Sequence, residues 1–484
     1  MKINIVLRVL AFVCLTVSCV MFLPLLLALY DGTYDVSAFT LSLLAGLSFS
    51  LTVIFLTGKN SVDNSMGIRE GLGVTGFSWI AASIIGSLPY WLSGCVPSYT
   101  DAFFETMSGF TTTGATIFDE IEALPRGILL WRSLTHWIGG MGIIVLSLAV
   151  LPFLGVHGME MYKAEVPGVT AGKLTPRLHQ TAIYLWGAYI FLTVTETILL
   201  MAGGMSLFDA FCHSCSTIAT GGFSTKNNSV AYFTSPYIQW VIIIFMFLSG
   251  VNFSLYFLIP MRKFHDIFTD EELRGYFYIT VLSATAIAVC LYLRGTFHSI
   301  EYTVRQAFFH VVSVMTTTGF IIEDYDYWPE FTKFIIILLM FIGASGGSTG
   351  GGCKVSRFII IWRYVKTEII RQLHPRSVIT PRINSKPIQP STMASCAAFF
   401  VLYMVILSAS TLITTAYGID VLTAFTGILT CLSNVGPGVG RLGAVESFSW
   451  LPGGVKWVMI IDMMAGRLEL FAAVLLIIPS TYRK

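Results

Sequence analysis

The chain has 484 residues, of which 55% are hydrophobic and 12% are charged, and its formal net charge is +2. This composition excludes an ordinary soluble domain, because a soluble domain covers its core with charged side chains, and it indicates a polytopic membrane protein. The nine cysteines are odd in number and scattered through mostly apolar segments, so we predict neither a disulfide framework nor a zinc site.

Hydropathy predicts about ten membrane-spanning segments. In chain order they are 6–30, 38–57, 71–93, 128–153, 179–203, 236–260, 276–294, 330–362, 393–417 and 450–480. The first starts like a signal peptide, but it is too long for the apolar core of one and has no small-residue cleavage site, so we expect a retained helix. Lys and Arg concentrate in the loops on the starting side, above all in 362–391. This side and both termini are therefore predicted to be cytoplasmic.

The loops on the opposite side are rich in acidic residues. They carry Asp31, Asp35, Asp101, Glu105, Asp119, Glu120, Glu122, Asp209, Glu301, Glu323, Asp324, Asp326 and Asp420. We expect a negatively charged outer vestibule that raises the local cation concentration. The alternative is that these loops merely lack Lys and Arg, as the topology rule requires, but that rule does not account for the accumulated acids.

A motif recurs four times on this outer side. Each copy has an Ala-Phe pair and, eleven residues after the Phe, a glycine; the four glycines are Gly114, Gly222, Gly319 and Gly436, spaced by 108, 97 and 117 residues. Every copy also has a hydroxyl residue six positions before the glycine and a short polar residue two positions before it. The spacing fits a unit of two membrane crossings and a loop rather than a solenoid repeat.

Each copy contains a stretch that is too short to cross a membrane. These stretches are 102–112, 210–220, 307–317 and 424–434. None spans a hydrocarbon core of ~30 Å, so each is expected to be a re-entrant half-helix, followed by an extended strand. The half-helix would aim its C-terminal end at the bilayer centre, and the glycine would adopt positive φ and redirect the carbonyls, so that four loops replace the water shell of a monovalent cation. The alternative is ordinary turn chemistry, which fits one copy better than four in register.

A glycine-rich run interrupts the segment 330–362. The run comprises Gly346, Gly347, Ser348, Thr349, Gly350, Gly351 and Gly352, preceded by Gly343. A helix interior does not accommodate such a run without unwinding, so we predict a flexible loop, 343–352, that hangs in the conduction path and gates it. The alternative is a packing device that lets neighbouring helices approach closely.

Arg467 lies inside the apolar segment 450–480. A cation in the middle of a membrane costs ~3 kcal/mol or more unless it faces water or a partner. We therefore expect Arg467 to point into the pore below the four loops and to repel cations. The alternative is a structural ion pair with Glu469 or Asp462, although offsets of two and five residues do not stack well on a helix.

Several short stretches together carry a resemblance to a known family. They are Asp101-Ala-Phe-Phe, Thr111-Thr-Thr-Gly114, Thr220-Gly-Gly-Phe223, Gln306-Ala-Phe-Phe, Thr316-Thr-Thr-Gly319, Asn434-Val-Gly-Pro437, Gly347-Ser-Thr-Gly-Gly-Gly352 and Gly466-Arg-Leu-Glu469. Over its whole length the chain resembles the membrane subunit of the Trk/Ktr/HKT superfamily of potassium transporters. The resemblance implies an all-α polytopic membrane protein with four fused M1–P–M2 potassium-channel-like repeats in pseudo-fourfold symmetry. The implied units are an extra transmembrane helix pair, 1–66, and repeats at 67–160, 161–265, 266–372 and 373–484.

The resemblance also implies that K⁺ is the transported ion and that residues before and at each motif glycine form its filter. These are Thr112, Thr113, Gly114, Thr220, Gly221, Gly222, Thr317, Thr318, Gly319, Asn434, Val435 and Gly436. Some plant relatives have Ser in place of the first glycine and favour Na⁺, so four glycines imply a preference for K⁺. Each loop has one short ring-forming stretch instead of TVGYG, which predicts weaker discrimination against Na⁺ than in true potassium channels. Gly221 and Val435 stand where the other two loops have Thr, so strict fourfold symmetry is excluded.

Regulation is expected to come from another protein, because no soluble stretch exceeds the basic loop 362–391. The resemblance implies a cytosolic ring of RCK-type nucleotide-binding regulatory subunits, TrkA-like, that acts on the glycine-rich gate and on the Arg467 barrier. It further implies a homodimer with one pore in each protomer, in the bacterial inner membrane. The basic loops also suit anionic membrane lipid. The chain itself is expected to bind neither a nucleotide nor a nucleic acid.

Two other functions stay open. An ion-coupled potassium symporter needs a membrane-embedded carboxylate that carries a proton, and Glu196 and Asp462 are the candidates. An intramembrane serine protease is suggested by Gly343-Ala-Ser345-Gly346, but no histidine lies in a later spanning segment to activate Ser345. We therefore expect a transporter rather than an enzyme.

Overall fold

The computed structural model describes residues 3–57, 68–142, 178–376 and 380–478. The predicted unit boundaries at 66/67 and 160/161, the end of the segment 128–153 and both ends of the chain lie outside the described residues. Within these ranges the fold is almost wholly helical, as predicted. The exception is a small hairpin of two-residue strands, Arg382–Ile383 and Lys386–Pro387, which pair antiparallel.

The long helices follow the predicted segments in order. They are Ile3–Val20 with Phe22–Asp31, Val36–Thr57, Ile68–Gly86 with Leu88–Leu92, Arg126–Gly140, Leu178–Ala202, Pro236–Ser249, Glu271–Leu293, Glu330–Ile342, Val355–Leu373, Pro390–Ala416, and Gly453–Leu468 with Leu470–Ile477. Across the described ranges, six helical stretches are long and apolar enough to cross a membrane. The chain is therefore a multi-pass membrane protein, as its composition predicted.

Four shorter helices lie between the long ones, at the predicted re-entrant stretches. These half-helices, numbered first to fourth in chain order, are Tyr99–Phe110, Leu207–Ile218, Ile300–Met315 and Val421–Ser433. They are the most deeply enclosed part of the fold: in the first, every residue from Asp101 to Phe110 is buried. The longer helices therefore surround them, as a backbone at membrane depth requires.

Each half-helix begins with a capping side chain. Ser98, Ser206 and Ser299 each accept a hydrogen bond from the backbone N–H three residues further on, and Asp420 does the same in the fourth. Such caps satisfy N–H groups that a helix start leaves unpaired. The hydrogen bond from the N–H of Thr423 is also the main cause that lowers the pKa of Asp420.

Besides the one-residue breaks at Met21 and Ser87, three predicted segments are interrupted. The segment 236–260 was predicted too long, because its helix ends at Ser249 and only a single turn, Phe253–Tyr256, follows. The segment 330–362 divides at the glycine-rich run, between Ile342 and Val355. The segment 450–480 divides at Glu469, whose φ of 62° is left-handed. Short single turns at Ser229–Tyr232, Phe264–Thr269, Tyr325–Tyr327 and Gly440–Leu442 complete the helical elements.

Candidate ion pathway

The four motif glycines form a closed ring. Gly114, Gly222, Gly319 and Gly436 have φ of 82°, 85°, 80° and 99°. A Cβ at Gly114 would overlap the carbonyl oxygen of Gly221, one at Gly222 that of Thr318, one at Gly319 that of Val435, and one at Gly436 that of Thr113. Each glycine thus packs against the carbonyl that precedes the next glycine, and the fourth returns to the first. Neither the backbone angle nor the space admits a side chain.

The residue two positions before each glycine is also left-handed. Thr112, Thr220, Thr317 and Asn434 have φ of 55°, 55°, 59° and 57°. The expectation of an extended strand before the glycine is therefore wrong at this position. Left-handed φ is a genuine outlier for a β-branched residue and costs of order 1–3 kcal/mol, so the surrounding structure must enforce it.

A common helix ending explains this conformation. In the first loop the N–H of Thr112 donates to the carbonyl of Gly109 at 3.1 Å, and the N–H of Thr113 donates to that of Ser108 at 2.9 Å. The other three loops repeat both bonds. This is the Schellman ending of a helix, which requires one left-handed residue after the last turn. The hydroxyl residue six positions before each glycine, found as part of the motif, supplies the carbonyl of the longer bond.

Side chains break the fourfold symmetry of the ring. The hydroxyls of Thr111 and Thr113 are 2.8 Å apart, as are those of Thr316 and Thr318 in the third loop. The second and fourth loops have no such pair, because Gly221 and Val435 replace the second Thr. In the fourth loop, Asn434 Nδ2 donates instead to Thr113 Oγ1 and to the carbonyl of Met463, both at 3.0 Å.

The outer side of the ring opens into a cavity of about 290 Å³ that all four motif glycines line. Its charged lining residues are Asp119, Glu446, Arg132 and Lys226. Two acids and two bases thus line this cavity, and one of the bases, Arg132, is itself paired with Glu105. The negative vestibule stays a prediction.

Two of the acids expected in the vestibule have buried ionic partners. Glu105 Oε1 is 2.8 Å from Arg132 Nε, and both side chains are buried, at 0% and 1% exposure. Asp101 Oδ1 is 2.6 Å from Lys456 Nζ. Arg132 also donates to the carbonyl of Ser224, which ties the first outer loop to the second. Charges buried in this way require a partner, so these acids hold the loops in place.

The glycine-rich run forms a loop directly below the ring. Thr349 Oγ1 donates to the carbonyls of Ile218 and Ser249, at 3.0 and 3.2 Å. The N–H of Gly351 donates to Thr317 Oγ1 at 2.6 Å. The N–H of Gly352 donates to the carbonyl of Ser433 at 2.9 Å.

These contacts join the loop to the ends of the second, third and fourth half-helices. A Cβ at Gly350 would lie 2.8 Å from the carbonyl oxygen of Thr316, and one at Gly351 would overlap that of Ser433. The glycines therefore serve close packing as well as interrupting the helix. The packing interpretation made from the sequence therefore applies to these residues, and the gating interpretation stays a prediction.

Arg467 lies at the level of this loop. Its guanidinium donates to the carbonyl of Thr349 at 2.7 Å and to those of Gly139 and Gly140 at 2.7 and 2.9 Å. It lines a cavity of about 80 Å³ with the glycine-rich loop, Lys354, Arg357 and Glu469. The nearby cations Lys354 and Arg357 were not identified from the sequence, where both follow the glycine run as ordinary loop and helix residues.

The two acids considered as partners of Arg467 have other contacts. Glu469 Oε2 is 2.5 Å from Arg357 Nη2, and Asp462 Oδ1 accepts from Ser410 Oγ at 3.0 Å.

The remaining alternative, a catalytic Ser345, finds no support: among the described residues its hydroxyl is buried without a hydrogen-bond partner. No base therefore reaches it to activate it as a nucleophile.

Known proteins resemble the chain over its full length. The family described as "TrkH: Cation transport protein" matches residues 36–482. The "Trk system potassium uptake protein TrkH" of Halomonas elongata is 37% identical, with 100% of both chains covered, and that of Salmonella typhimurium is 36% identical, with 99% of both covered. The crystal structure of the potassium transporter TrkH from Vibrio parahaemolyticus matches with a TM-score of 0.89 at 33% identity, with 100% of both chains covered. These relatives are named as transporters and not as enzymes, which agrees with the expectation from the sequence. The chain belongs to the TrkH family of cation transport proteins.

Proposed function

We propose that this chain takes up K⁺ across the bacterial inner membrane through a selective, gated, channel-like pore. The closed ring of four glycine loops is the observation that carries the proposal. Carbonyl oxygens from four sides can replace the hydration shell of one monovalent cation. The names of the relatives, potassium uptake proteins, favour K⁺ as that cation.

In this proposal the filter residues are the three residues that end at each motif glycine. Their carbonyls are held by the Schellman endings and by the contact between each glycine and the next loop. Below the ring, Lys354 and Arg467 oppose a passing ion while the loop is closed, whereas the charge of Arg357 is balanced by Glu469.

The filter is tested by replacing Gly114 with Ser in purified, reconstituted protein and measuring the reversal potential at varied K⁺ and Na⁺. A Cβ at Gly114 would overlap the carbonyl of Gly221, so we expect the K⁺/Na⁺ permeability ratio to fall. Gly418→Ser is a matched control, because Gly418 also has positive φ, 84°, but nothing within 4 Å. An unchanged ratio in Gly114→Ser contradicts the filter assignment.

The gate is proposed to be the glycine-rich loop together with Arg467, controlled by a cytosolic RCK-type nucleotide-binding subunit. In this scheme two copies of the chain form a dimer, each with its own pore, and both termini face the cytosol. The basic side chains available for docking include Lys366, Arg382 and Lys386, all exposed. Arg363 is less suited, because it pairs with Glu271 at 2.5 Å. Co-purification of the subunit with wild type, and its loss in a Lys366, Arg382 and Lys386 to Gln variant, is the expected result.

Ion-coupled uptake is the second candidate. The observation that favours it is Glu196, which is wholly buried and whose two carboxylate oxygens have no hydrogen-bond partner among the described residues. A carboxylate in this setting can exchange a proton during transport.

A further inference from the structure

Glu272 holds together the two ends of the glycine-rich loop. Its Oε1 accepts hydrogen bonds from the N–H of Gly346 at 2.6 Å and from the N–H of Ser356 at 3.1 Å. Gly346 lies near the start of the loop, and Ser356 lies in the first turn of the helix that follows it. Hydrogen bonds to an ionised carboxylate are among the strong ones in proteins, so one oxygen clamps the base of the loop.

The base and the tip of the loop have different contacts. The tip, Thr349 to Gly352, binds the ends of the half-helices. The base is held by Glu272 and by four backbone hydrogen bonds. Two join its ends, from Cys353 to Phe341 at 3.1 Å and from Val355 to Ala344 at 3.0 Å, and two join it to the preceding repeat, from Ser345 to Gly250 at 3.1 Å and from Phe253 to Gly347 at 3.0 Å. The tip can leave the pathway only if the loop turns about its base, so the Glu272 clamp opposes opening.

Toward the cytosol, the hairpin Arg382–Pro387 is hydrogen-bonded to the start of the helix Glu271–Leu293, which carries Glu272. Asn384 Oδ1 accepts from the N–H of Glu271 at 2.8 Å, and Asn384 Nδ2 donates to Asp270 Oδ2 at 2.7 Å. Asp270 is the N-cap of that helix. The consecutive residues Asp270, Glu271 and Glu272 thus connect the exposed turn of the hairpin to the base of the loop.

We propose that this hairpin is the contact through which the cytosolic regulatory subunit releases the gate. Its Arg382 and Lys386 are exposed and flank the turn, so they suit an acidic surface of that subunit. Binding draws Asn384 away from the helix start, the helix start shifts, and Glu272 loses its hydrogen bonds to the loop. This inference rests on the proposed function, because it names the input to the proposed gate.

The test uses the full chain in lipid vesicles, with Rb⁺ uptake measured with and without the regulatory subunit. Glu272→Ala removes the clamp, so we expect uptake without the subunit to rise about tenfold, as the loss of a hydrogen bond to a charged group predicts, with the K⁺/Na⁺ preference unchanged. Glu272→Gln keeps an acceptor but loses the charge, and it should give a smaller rise. Asp266→Ala, which removes an exposed acid from the preceding turn, serves as the control.

Asn384→Gly separates binding from release. The variant keeps the left-handed angle of the turn, φ 47°, and both basic side chains, but it removes the two bonds to the helix. We expect the subunit to co-purify with it as with wild type while its stimulation of uptake falls several-fold. Ser385→Gly, at the neighbouring left-handed position with φ 63°, is the matched control and should be stimulated normally.

Two results overturn the inference. One is a Glu272→Ala protein that is monodisperse and unfolds at the wild-type temperature but has wild-type uptake. If Glu272→Ala is unstable, wild-type uptake by a stable Glu272→Gln protein overturns the inference in its place. The other is an Asn384→Gly protein that the subunit stimulates normally. If both results are obtained but an Arg467→Ala variant conducts K⁺, only this inference fails and the proposed function stands. If no variant conducts K⁺ at all, the proposed function fails with it.

Discussion

The guanidinium of Arg467 donates a hydrogen bond of 2.7 Å to the carbonyl oxygen of Thr349, so a helix of the fourth repeat is joined directly to the glycine-rich loop of the third. The same side chain donates to Gly139 and Gly140, which end a helix of the first repeat. The loop in turn binds the end of the second half-helix through Thr349. One residue therefore connects elements of three repeats, and a direct hydrogen bond joins the proposed barrier to the proposed gate.

Arg467→Ala removes the positive charge, the hydrogen bond to Thr349 in the loop, and the two hydrogen bonds to Gly139 and Gly140. We expect K⁺ flux through reconstituted protein without a regulatory subunit to rise at least tenfold, since each charged hydrogen bond is worth about 1.5–3 kcal/mol. The K⁺/Na⁺ permeability ratio should stay the same, because none of these three hydrogen bonds goes to the glycine ring. Arg441→Ala, an exposed arginine on the outer face of the same repeat, is the control. Unchanged flux in Arg467→Ala would falsify the barrier.

Thr317→Val should weaken the seal between the ring and the loop. The valine has the shape of threonine but removes the oxygen that accepts from the N–H of Gly351. A buried N–H left without a partner costs about 1–3 kcal/mol, so the closed state loses stability and we expect flux to rise several-fold. Thr285→Val, where the lost hydroxyl binds only its own helix, should leave flux unchanged. Flux equal to wild type in Thr317→Val means that this bond does not hold the gate.

The buried pair of Arg132 and Glu105 is predicted to matter for stability rather than for ion selectivity. Arg132→Met leaves the Glu105 carboxylate buried without its partner, which should cost about 3–5 kcal/mol and lower the thermal unfolding temperature in detergent. The exposed pair of Arg126 and Asp31, with side chains 48% and 19% exposed, is the comparison. Arg126→Met should cost no more than about 1 kcal/mol.

A double variant checks the cause of that loss. Replacing Glu105 by Leu in the Arg132→Met background removes the unpaired charge, so much of the stability should return. If the double variant is as unstable as Arg132→Met, the loss comes instead from the packing of Arg132 on Phe223, whose ring centroid is 4.2 Å away.

Reversal potentials distinguish a channel from a symporter. For a channel, the reversal potential of purified protein follows the K⁺ gradient, responds to a Na⁺ gradient only as far as the K⁺/Na⁺ permeability ratio requires, and does not move when a pH gradient is imposed. We expect this result, and Glu196→Gln should leave it unchanged. A reversal potential that shifts with pH in wild type but not in Glu196→Gln identifies proton-coupled uptake and assigns Glu196 as the proton carrier.

The sequence predicted the half-helices because their length excludes a membrane crossing and because four copies share one register. The glycine ring followed from the same register, since Gly114 and its equivalents are where a positive φ is sterically free. Thr112 was not predicted to be left-handed, because β-branched residues avoid that conformation unless a helix ending imposes it. The ending itself can be read only from the backbone bonds to Gly109 and Ser108.

The charged contacts were the least predictable part. Glu105 and Arg132 lie 27 residues apart, and Asp101 and Lys456 lie 355 apart, so nothing local indicates that they pair. Counting acids in outer loops therefore does not show which of them are paired and which face the cavity. Arg467, in contrast, was identified from the sequence because a lone cation in an apolar segment must face water or a partner.

The contacts within the glycine ring have a direction. Gly114 packs against the carbonyl before Gly222, and Gly222 packs against the carbonyl before Gly319. Gly319 packs in the same way against the carbonyl before Gly436, and Gly436 packs against the carbonyl of Thr113. A side chain introduced in one quadrant therefore displaces a ligand that belongs to the following quadrant, not to its own. Since all four quadrants are encoded separately in one chain, a change at Gly319 should be offset most effectively by a second change at Val435, and least by one at Thr318.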